Sequence, residues 1–450
     1  MKKIIYLPFV LLISLFVISC SNEDDPVISQ TELPKVAIIN LSNENSMAQE
    51  DTLKLKAVIE SEAVSSFSWR VNGEPVEVSD SVLRFVPTET GAHLITLLAA
   101  NEEGETKADM TIQVYGKYRH GTWVLNEGSA FAENGSLVFI SPKGVVTDSA
   151  YFRANGTYLG SATQDLFVKD GKMYIISQNR GIGERSDGKL IVANSETLER
   201  EAAYNDELDE LSWPTHVRVL DDRNIFIRDN RGVYRFNSTT KELNYIEGTQ
   251  GANKNQMVVA DGKVFVIAGR NLLVLQANNP GVSQTIEMDA SISGIVKSKD
   301  GNLFVSTTGS PGKITKIDAE TGGVIKVNEV TQGSLGAGWG ATPGITAKGD
   351  TLYYSNASTR IYRHIFSTGE SQFMVDAKTM VDDANIVYNN IAVHPVTGDV
   401  YLNTIKGYGT DYLINNISVF NFDSGTPGLK TNYKDYTKFP AGIFFTDNFK

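Results

Sequence analysis

The stretch "QMVVADGKVFVIA", residues 256–268, contains two short apolar runs joined by the pair Asp261-Gly262. Asp-Gly pairs favour type I′ turns, because both central residues of such a turn need positive φ, and these turns join neighbouring antiparallel strands. The apolar runs on either side have the length and the composition of typical strands. The stretch therefore predicts a β-hairpin.

The same pattern occurs five more times, in "DLFVKDGKMYIIS", "HVRVLDDRNIFIR", "GIVKSKDGNLFVS", "GITAKGDTLYYS" and "IAVHPVTGDVYLN". The turns of the six hairpins lie near Gly171, Asp222, Gly262, Gly301, Gly349 and Gly398, at intervals of 51, 40, 39, 48 and 49 residues. A period in the forties built from short strands is typical of a β-propeller. We therefore predict an all-β fold with a propeller over residues 116–450.

The two ends of the propeller segment each supply one unpaired strand. "AGIFFTDNFK" at the C-terminus has the form of a first strand, and "GTWVLNEG" at 121–128 has the form of a second strand. Pairing them completes a seventh blade and closes the ring, which removes a free sheet edge. We expect seven blades closed by N-terminal and C-terminal strands.

Residues 34–115 show a different pattern, in which apolar and polar residues alternate over about seven short runs separated by turn residues. Alternation with a period of two indicates strands that are buried on one face. Trp69 lies in a central run, where the core of a β-sandwich accommodates an aromatic side chain. This segment resembles a bacterial PKD or immunoglobulin-like module, through "SWRVNG" at 68–73 and "TGAHLIT" at 90–96.

The chain begins with Lys2 and Lys3, an uncharged run from Ile4 to Ile18, and then Ser19 and Cys20. The run is shorter than the roughly 20 residues of a membrane span and has the parts of a secretory signal. Residues 17–20, "VISC", resemble a bacterial lipobox, which implies removal of residues 1–19 and lipidation of Cys20. The acidic linker 20–33 resembles the export tag of Bacteroidota surface lipoproteins, so we expect an outer-membrane protein, lipid-anchored and facing the exterior.

The composition excludes several classes of site. Cys20 is the only cysteine, so its lipidation leaves no thiol for disulfides, thiolate catalysis or cysteine-based metal binding. The formal net charge is −12, and it becomes about −14 once Lys2 and Lys3 leave with the signal, which argues against nucleic acid as a partner. Contact with the membrane is expected only through the lipid anchor.

We find no pattern that predicts catalysis. The five histidines, at 93, 120, 216, 364 and 394, lack the spacing of a metal site, and no nucleophile elbow is present. Carboxylates of different blades, such as Glu127 with Glu184 or Asp187, could pair for glycoside cleavage, which sequence spacing does not test. We therefore expect no enzyme, no catalytic residue, no metal and no cofactor other than a corrinoid bound as ligand.

A polar and aromatic propeller face is the predicted binding surface. The segments before first strands and the loops between second and third strands meet at one end of the ring. Amides and aromatic rings there suit a bulky polar ligand. The predicted ligand-binding residues are Asn126, Glu127, Gln164, Asn179, Trp213, His216, Asn230, Asn255, Trp339, Tyr388, Asn389 and Tyr408, with Gln178, Asn356, Asn403 and Tyr412 on the same face.

Within the repeats, "KLIVANSETLE", "GVYRFNSTTKE", "KITKIDAETGGVI" and "RIYRHIFSTGE" resemble the third-to-fourth-strand hairpins of YncE-like and surface-layer-type propellers. "WVLNEGSAFAENGSLVFIS" at 123–141 resembles a family of Bacteroidota lipoprotein propellers and is similar to the BtuG proteins. That resemblance implies capture of a corrinoid, cobalamin, for a TonB-dependent transporter. The alternatives are a surface scaffold or adhesion protein that binds proteins or glycans, and a propeller enzyme such as a lyase or lactonase.

Overall fold

The computed structural model describes residues 32–60, 64, 66–78, 80–128, 133–179, 186–336, 344–423 and 428–449. Contacts divide the chain into two compact units: one contains the chain up to Asn45, Thr52–Val86 and Ala92–Gln113, and the other contains Ser46–Asp51, Pro87–Gly91 and Val114–Lys450. In the described ranges, no helix has both the length and the apolar character needed to cross a membrane. The predicted lipidation site Cys20 lies outside these ranges.

The strands of residues 34–115 are β1 Lys35–Asn40, β2 Ser46–Ala48, β3 Leu53–Glu60, β4 Ser66–Val71, β5 Glu74–Val76, β6 Val82–Phe85, β7 Gly91–Asn101 and β8 Gly104–Tyr115. They form a three-stranded sheet in the order β1-β3-β6 and a five-stranded sheet in the order β2-β8-β7-β4-β5. Along β3, Leu53 and Leu55 are buried while Lys54 and Lys56 are exposed. Trp69 of β4 is also buried, so the alternation seen in the sequence does bury one face of these strands.

The remaining strands, in chain order, are β9 Thr122–Asn126, β10 Ser136–Ile140, β11 Val146–Thr147, β12 Thr163–Lys169, β13 Lys172–Ser177, β14 Leu190–Asn194, β15 Arg200–Tyr204, β16 His216–Asp221, β17 Asn224–Arg228, β18 Val233–Asn237, β19 Glu242–Tyr245, β20 Val258–Ala260, β21 Lys263–Ala268, β22 Asn271–Leu275, β23 Gln284–Glu287, β24 Ile292–Lys297, β25 Leu303–Thr307, β26 Lys313–Ile317, β27 Val324–Glu329, β28 Ile345–Lys348, β29 Thr351–Tyr354, β30 Arg360–Ile365, β31 Glu370–Asp376, β32 Ile386–Val393, β33 Val400–Ile405, β34 Asn415–Asn421, β35 Gly428–Lys434 and β36 Pro440–Phe445. One α-helix, α1, spans Ala150–Asn155, and short 3₁₀ turns cover Asp206–Leu208, Ala377–Thr379, Gly409–Leu413 and Thr446–Phe449. The all-β prediction is confirmed.

These strands form seven four-stranded sheets. Sheet 1 has the order β36-β9-β10-β11, and sheets 2 to 7 each consist of four consecutive strands, from β12-β13-β14-β15 to β32-β33-β34-β35. The first strands contact one another in the cyclic order β36, β12, β16, β20, β24, β28 and β32, and β32 contacts β36 again. The first strands therefore surround a common axis, as in a β-propeller.

All six predicted hairpins are present as antiparallel pairs of first and second strands. In the stretch 256–268, Asp261 and Gly262 have φ of 47° and 65°, which is the conformation that a type I′ turn requires. Val258 pairs with Phe265 across this turn. Local turn chemistry therefore sets the register of the hairpin.

Strand β21 shows why the second strands are apolar without interruption. Val264 and Val266 pack in a core cluster with Phe226 of sheet 3, whereas Phe265 and Ile267 pack with Ile295 and other residues of sheet 5. Both faces of the strand are buried because each sheet packs between two others, so an apolar–polar alternation is absent.

The two unpaired strands seen in the sequence do meet. Strand β36 pairs with β9, with Ile443 opposite Val124 and Phe445 opposite Thr122. Trp123 is fully buried and packs against Phe139 at a ring separation of 4.6 Å. The predicted pairing is confirmed, and it joins residues more than 300 positions apart in the sequence.

Candidate functional site

The end of the seven sheets at which the first strands begin holds a group of polar and aromatic side chains that contact one another. In an antiparallel sheet the first strand begins at the end where the second strand finishes. The segments before first strands and the connections between second and third strands therefore share this end, as the sequence predicts. We call it the upper face.

Near the axis of the upper face, Glu127, Gln164 and Tyr388 come together from sheets 1, 2 and 7. The Tyr388 hydroxyl donates to Glu127 Oε2 at 3.3 Å, and the Gln164 side chain also hydrogen-bonds to Glu127. Lys254, in the connection before β20, exerts an attractive electrostatic effect on the same carboxylate. We call these four residues, together with Phe439, the mouth cluster.

The carboxyl group of Glu127 is in an unusual environment for an acid. Burial raises its pKa above the ordinary value, and the charge of Lys254 and the hydrogen bonds from Tyr388 and Gln164 oppose that increase. Burial and the charge of Glu127 also raise the pKa of Tyr388. In the mouth cluster, the effect of burial on the pKa of Glu127 therefore exceeds the combined effect of Lys254, Tyr388 and Gln164.

Gln164 leaves part of its hydrogen-bonding capacity unused. Its side chain is almost fully buried, and its Oε1 has no hydrogen-bond partner among the described residues. A buried polar atom without a partner costs about 1–3 kcal/mol. The mouth cluster therefore combines an acid whose pKa is raised with an amide oxygen that has no hydrogen-bond partner among the described residues.

Phe439, immediately before β36, supports the cluster in a strained conformation. Its φ of 52° is unusual for a bulky residue. The ring stacks on Tyr412 at 4.3 Å and lies against Tyr388 at 5.1 Å, while its carbonyl accepts a hydrogen bond from the Glu127 amide at 2.8 Å. These contacts hold the strained backbone in place, and such strain is concentrated at functional sites.

Beneath the mouth, the first strands of sheets 2 and 3 form a buried ion pair. Arg218 Nη1 donates to Asp165 Oδ2 at 2.6 Å, and the Val217 amide donates to the same oxygen at 3.0 Å. Arg218 also donates to the Met257 carbonyl at 2.6 Å and lies over the Phe167 ring. The Nε and Nη1 atoms of Arg218 both donate to partners inside the protein, so the pair braces neighbouring sheets.

Several predicted ligand-binding amides have partners within the protein. Asn126 donates to Ser136 and accepts from the Lys438 amide. The Asn179 side chain donates to Asn205 Oδ1 and accepts from the Ser186 hydroxyl. Asn255 donates to the Ser293 carbonyl at 3.1 Å. These amides fasten connections of the upper face to one another.

The other predicted residues have different environments. His216 is buried and lies 2.9 Å from the Thr215 hydroxyl, whereas Asn230 is exposed. Trp213 is 42% exposed with φ of 57°, and Tyr408 is 63% exposed. Trp339, Glu184 and the side chain of Asn389 lie outside the described residues.

Two members of the mouth cluster, Lys254 and Phe439, were not predicted from the sequence. Lys254 is adjacent to the predicted Asn255, and Phe439 directly precedes the unpaired terminal strand. The position before a first strand was the available signal for both. In the described ranges, His, Asp and Glu side chains form no group of three or more that could hold a metal ion.

Comparison with solved structures identifies similar folds. A quinoprotein alcohol dehydrogenase-like protein from Bacteroides thetaiotaomicron has a TM-score of 0.56 and 15% identity, covering 92% of this chain and 99% of that chain. The computationally designed protein Ika8 has a TM-score of 0.43 and 13% identity, covering 72% and 89% of the two chains. Dihydro-heme d1 dehydrogenase NirN has a TM-score of 0.41 and 11% identity, covering 73% and 76%. The first of these likenesses, at a TM-score of 0.56 and 15% identity, concerns the fold alone.

No curated protein matches the sequence. A family model does match, over residues 120–446, which span sheets 1 to 7 from β9 to β36. The match covers well over half of the chain. The chain therefore belongs to the family described as a domain of unknown function, DUF5074.

Proposed function

We propose that this chain is a non-enzymatic surface lipoprotein whose mouth cluster binds a bulky polar ligand and delivers it to a TonB-dependent transporter. The observation that carries the proposal is the buried Gln164 Oε1 atom, which has no hydrogen-bond partner among the described residues and lies in the same cluster as the Glu127 carboxyl group. A ligand that donates hydrogen bonds would satisfy this amide oxygen. No chemistry on the ligand is required.

The architecture that we propose for this role is a PKD/Ig-like sandwich over 34–115, followed in the chain by a seven-bladed propeller over 116–450. The cyclic contacts of the seven first strands support the blade count. The two antiparallel sheets before Gly116 support the sandwich, and the division of compact units between Gln113 and Val114 supports the boundary. A closed ring of blades brings side chains from distant repeats to one axis.

The leading ligand in this proposal is a corrinoid such as cobalamin. Cobalamin carries primary amides around a broad ring, and amides can donate to Glu127 and to the unsatisfied Gln164 Oε1. The rings of Tyr388, Phe439 and Tyr412 offer apolar area beside those acceptors. The resemblance of residues 123–141 to the BtuG proteins, seen in the sequence, implies the same ligand class.

The lipid anchor would place this site outside the cell. Cys20 follows a lipobox-like sequence and precedes the acidic residues Glu23, Asp24 and Asp25. Lipidation at Cys20 would hold the protein at the outer membrane without a spanning segment. Recovery of Cys20-acylated peptide by mass spectrometry would test this part of the proposal, and an unmodified Cys20 in mature protein would contradict it.

Titration of the full chain with cyanocobalamin, followed by tryptophan fluorescence and calorimetry, tests the ligand. We expect saturable binding with a Kd of about 1 μM or lower and at least about tenfold weaker binding for Tyr388→Ala. Phe373→Ala is the matched control, because Phe373 is an exposed aromatic of the outer strand β31. No binding at micromolar cyanocobalamin would overturn the corrinoid assignment.

The scaffold and enzyme alternatives predict different outcomes. Proteins or glycans recovered from surface extracts without a transporter would favour a scaffold or adhesion protein. Turnover of a lactone or polysaccharide that is lost in Glu127→Gln would instead establish a propeller enzyme. Recovery of a TonB-dependent transporter together with the chain would support ligand delivery.

A further inference from the structure

A second cleft opens on the upper face. It lies between residues 133–137, the segment around α1 and the β35–β36 connection, and its volume is about 340 Å³. Ligand pockets typically fall between about 300 and 1,000 Å³. We call it the rim cleft, and Glu127, Gln164 and Tyr388 are absent from its lining.

Aromatic rings form the apolar part of the rim cleft. Phe152 and Tyr158 stack with a ring separation of 4.4 Å and an interplanar angle of 28°. Phe152 is 37% exposed, and Tyr436, from the β35–β36 connection, is 39% exposed. Exposed aromatic rings in a concave site provide surfaces on which a flat apolar ligand face can rest.

The polar part of the lining presents both donors and acceptors. Lys438 Nζ lies 3.5 Å from Glu133, so this pair is close to neutral and can donate through the amine and accept through the carboxylate. The Asp435 carboxylate accepts a hydrogen bond from the backbone N–H of Asn415 at 3.2 Å. Asp148 accepts from Ser149 at 3.3 Å. Carboxylates have four acceptor positions, so these acids keep capacity for further donors.

This combination selects among ligand classes. Three carboxylates disfavour an anion, and Lys438 offsets one of them, which leaves two carboxylates that accept hydrogen bonds from hydroxyl groups. A neutral molecule with many hydroxyl groups both donates and accepts, and a sugar ring also has an apolar face that packs on aromatic rings. We propose that the rim cleft binds a neutral carbohydrate of about disaccharide size, independently of the mouth cluster.

Saturation-transfer NMR on the full chain tests the proposal, with cellobiose, maltose, lactose and N-acetyllactosamine as probes and choline as the cationic comparison. We expect at least one disaccharide to bind with a Kd of about 1 mM or lower. Tyr436→Ala should weaken that binding about tenfold. Phe373→Ala, which removes an exposed ring elsewhere, should leave it unchanged.

The controls separate this site from the mouth cluster and from folding. Tyr436 is partly exposed, so thermal melting of Tyr436→Ala should match that of the parent chain. Glu127→Gln should leave disaccharide binding unchanged, whether or not cyanocobalamin binds. Binding of none of the disaccharides, equal binding by Tyr436→Ala, or binding of choline alone would each overturn the proposal.

Discussion

Asp165 and Glu127 are acids on neighbouring sheets, the first buried and the second half-buried, and their surroundings differ. Burial raises the pKa of Asp165, but Arg218 lies in direct contact at 2.6 Å and the Val217 amide adds a second donor. Glu127 has a tyrosine hydroxyl at 3.3 Å and the Gln164 amide, and the opposing charge of Lys254 does not outweigh the effect of burial on its pKa. Asp165 is in direct contact with a charged partner, whereas Glu127 lies in the cluster where Gln164 Oε1 has no partner among the described residues and where we propose that a ligand binds.

The largest effect should come from breaking the completed pair. Arg218→Met leaves Asp165 buried without its cation, and loss of one partner of a buried pair costs about 3–5 kcal/mol. We expect a corresponding decrease in the free energy of unfolding, measured by denaturant titration.

Arg360→Met is the matched control, because Arg360 is mostly exposed where it pairs with Asp376 at 3.4 Å. Arg360→Met should lower the free energy of unfolding by less than about 1 kcal/mol. A double variant, Asp165→Leu with Arg218→Met, removes both charges and should recover much of the loss. If Arg218→Met is no more damaging than Arg360→Met, the ion pair does not brace the sheets.

The second prediction concerns Glu127 and pH. Because folding raises the pKa of Glu127 above its ordinary 4.5, the stabilisation from its protonated form is complete below that value and is lost as pH rises through the folded-state pKa. Glu127→Gln cannot ionise. Its unfolding midpoint should therefore rise relative to that of the parent chain as pH increases above about 4.5, in parallel denaturation series.

The same substitution also tests function, because glutamine keeps the shape but loses the acceptor charge. Glu127→Gln should therefore bind cyanocobalamin more weakly while folding at least as stably at neutral pH. A midpoint difference that stays constant with pH would show that the carboxyl group titrates as it does in water. That result would remove the contrast with Asp165.

The smallest effect should follow Tyr388→Phe. This change removes one hydrogen bond to Glu127 and keeps the ring beside Phe439, so it should cost about 0.5–1.5 kcal/mol. Loss of the donor should also raise the pKa of Glu127 further. The loss of stability with rising pH should then extend to higher pH. Tyr245→Phe is the control, since its hydroxyl makes only a long, exposed contact of 3.4 Å with the Arg231 carbonyl. Equal pH profiles for Tyr388→Phe and the parent chain would contradict the proposed coupling.

The hairpins were predictable because their causes are local. Asp261 and Gly262 set a turn through their own φ preferences, and the adjoining apolar runs pair without any other part of the chain. The site was only partly predictable. Glu127, Gln164 and Tyr388 were among the predicted residues and do meet, but so were Asn126 and Asn255, whose amides hydrogen-bond within the protein.

By itself the sequence determined the strands and their turns, because periodicity and turn chemistry act over a few residues. It also determined the pairing of the terminal strand with β9, because the unpaired strands at both ends have the forms of a first and a second strand. Tertiary structure alone decided which polar side chains lose contact with water. Desolvation depends on what surrounds an atom in three dimensions, and the neighbours of Glu127 come from positions 164, 254 and 388. It also decided that Phe152 and Tyr436, far apart in the chain, line one cleft.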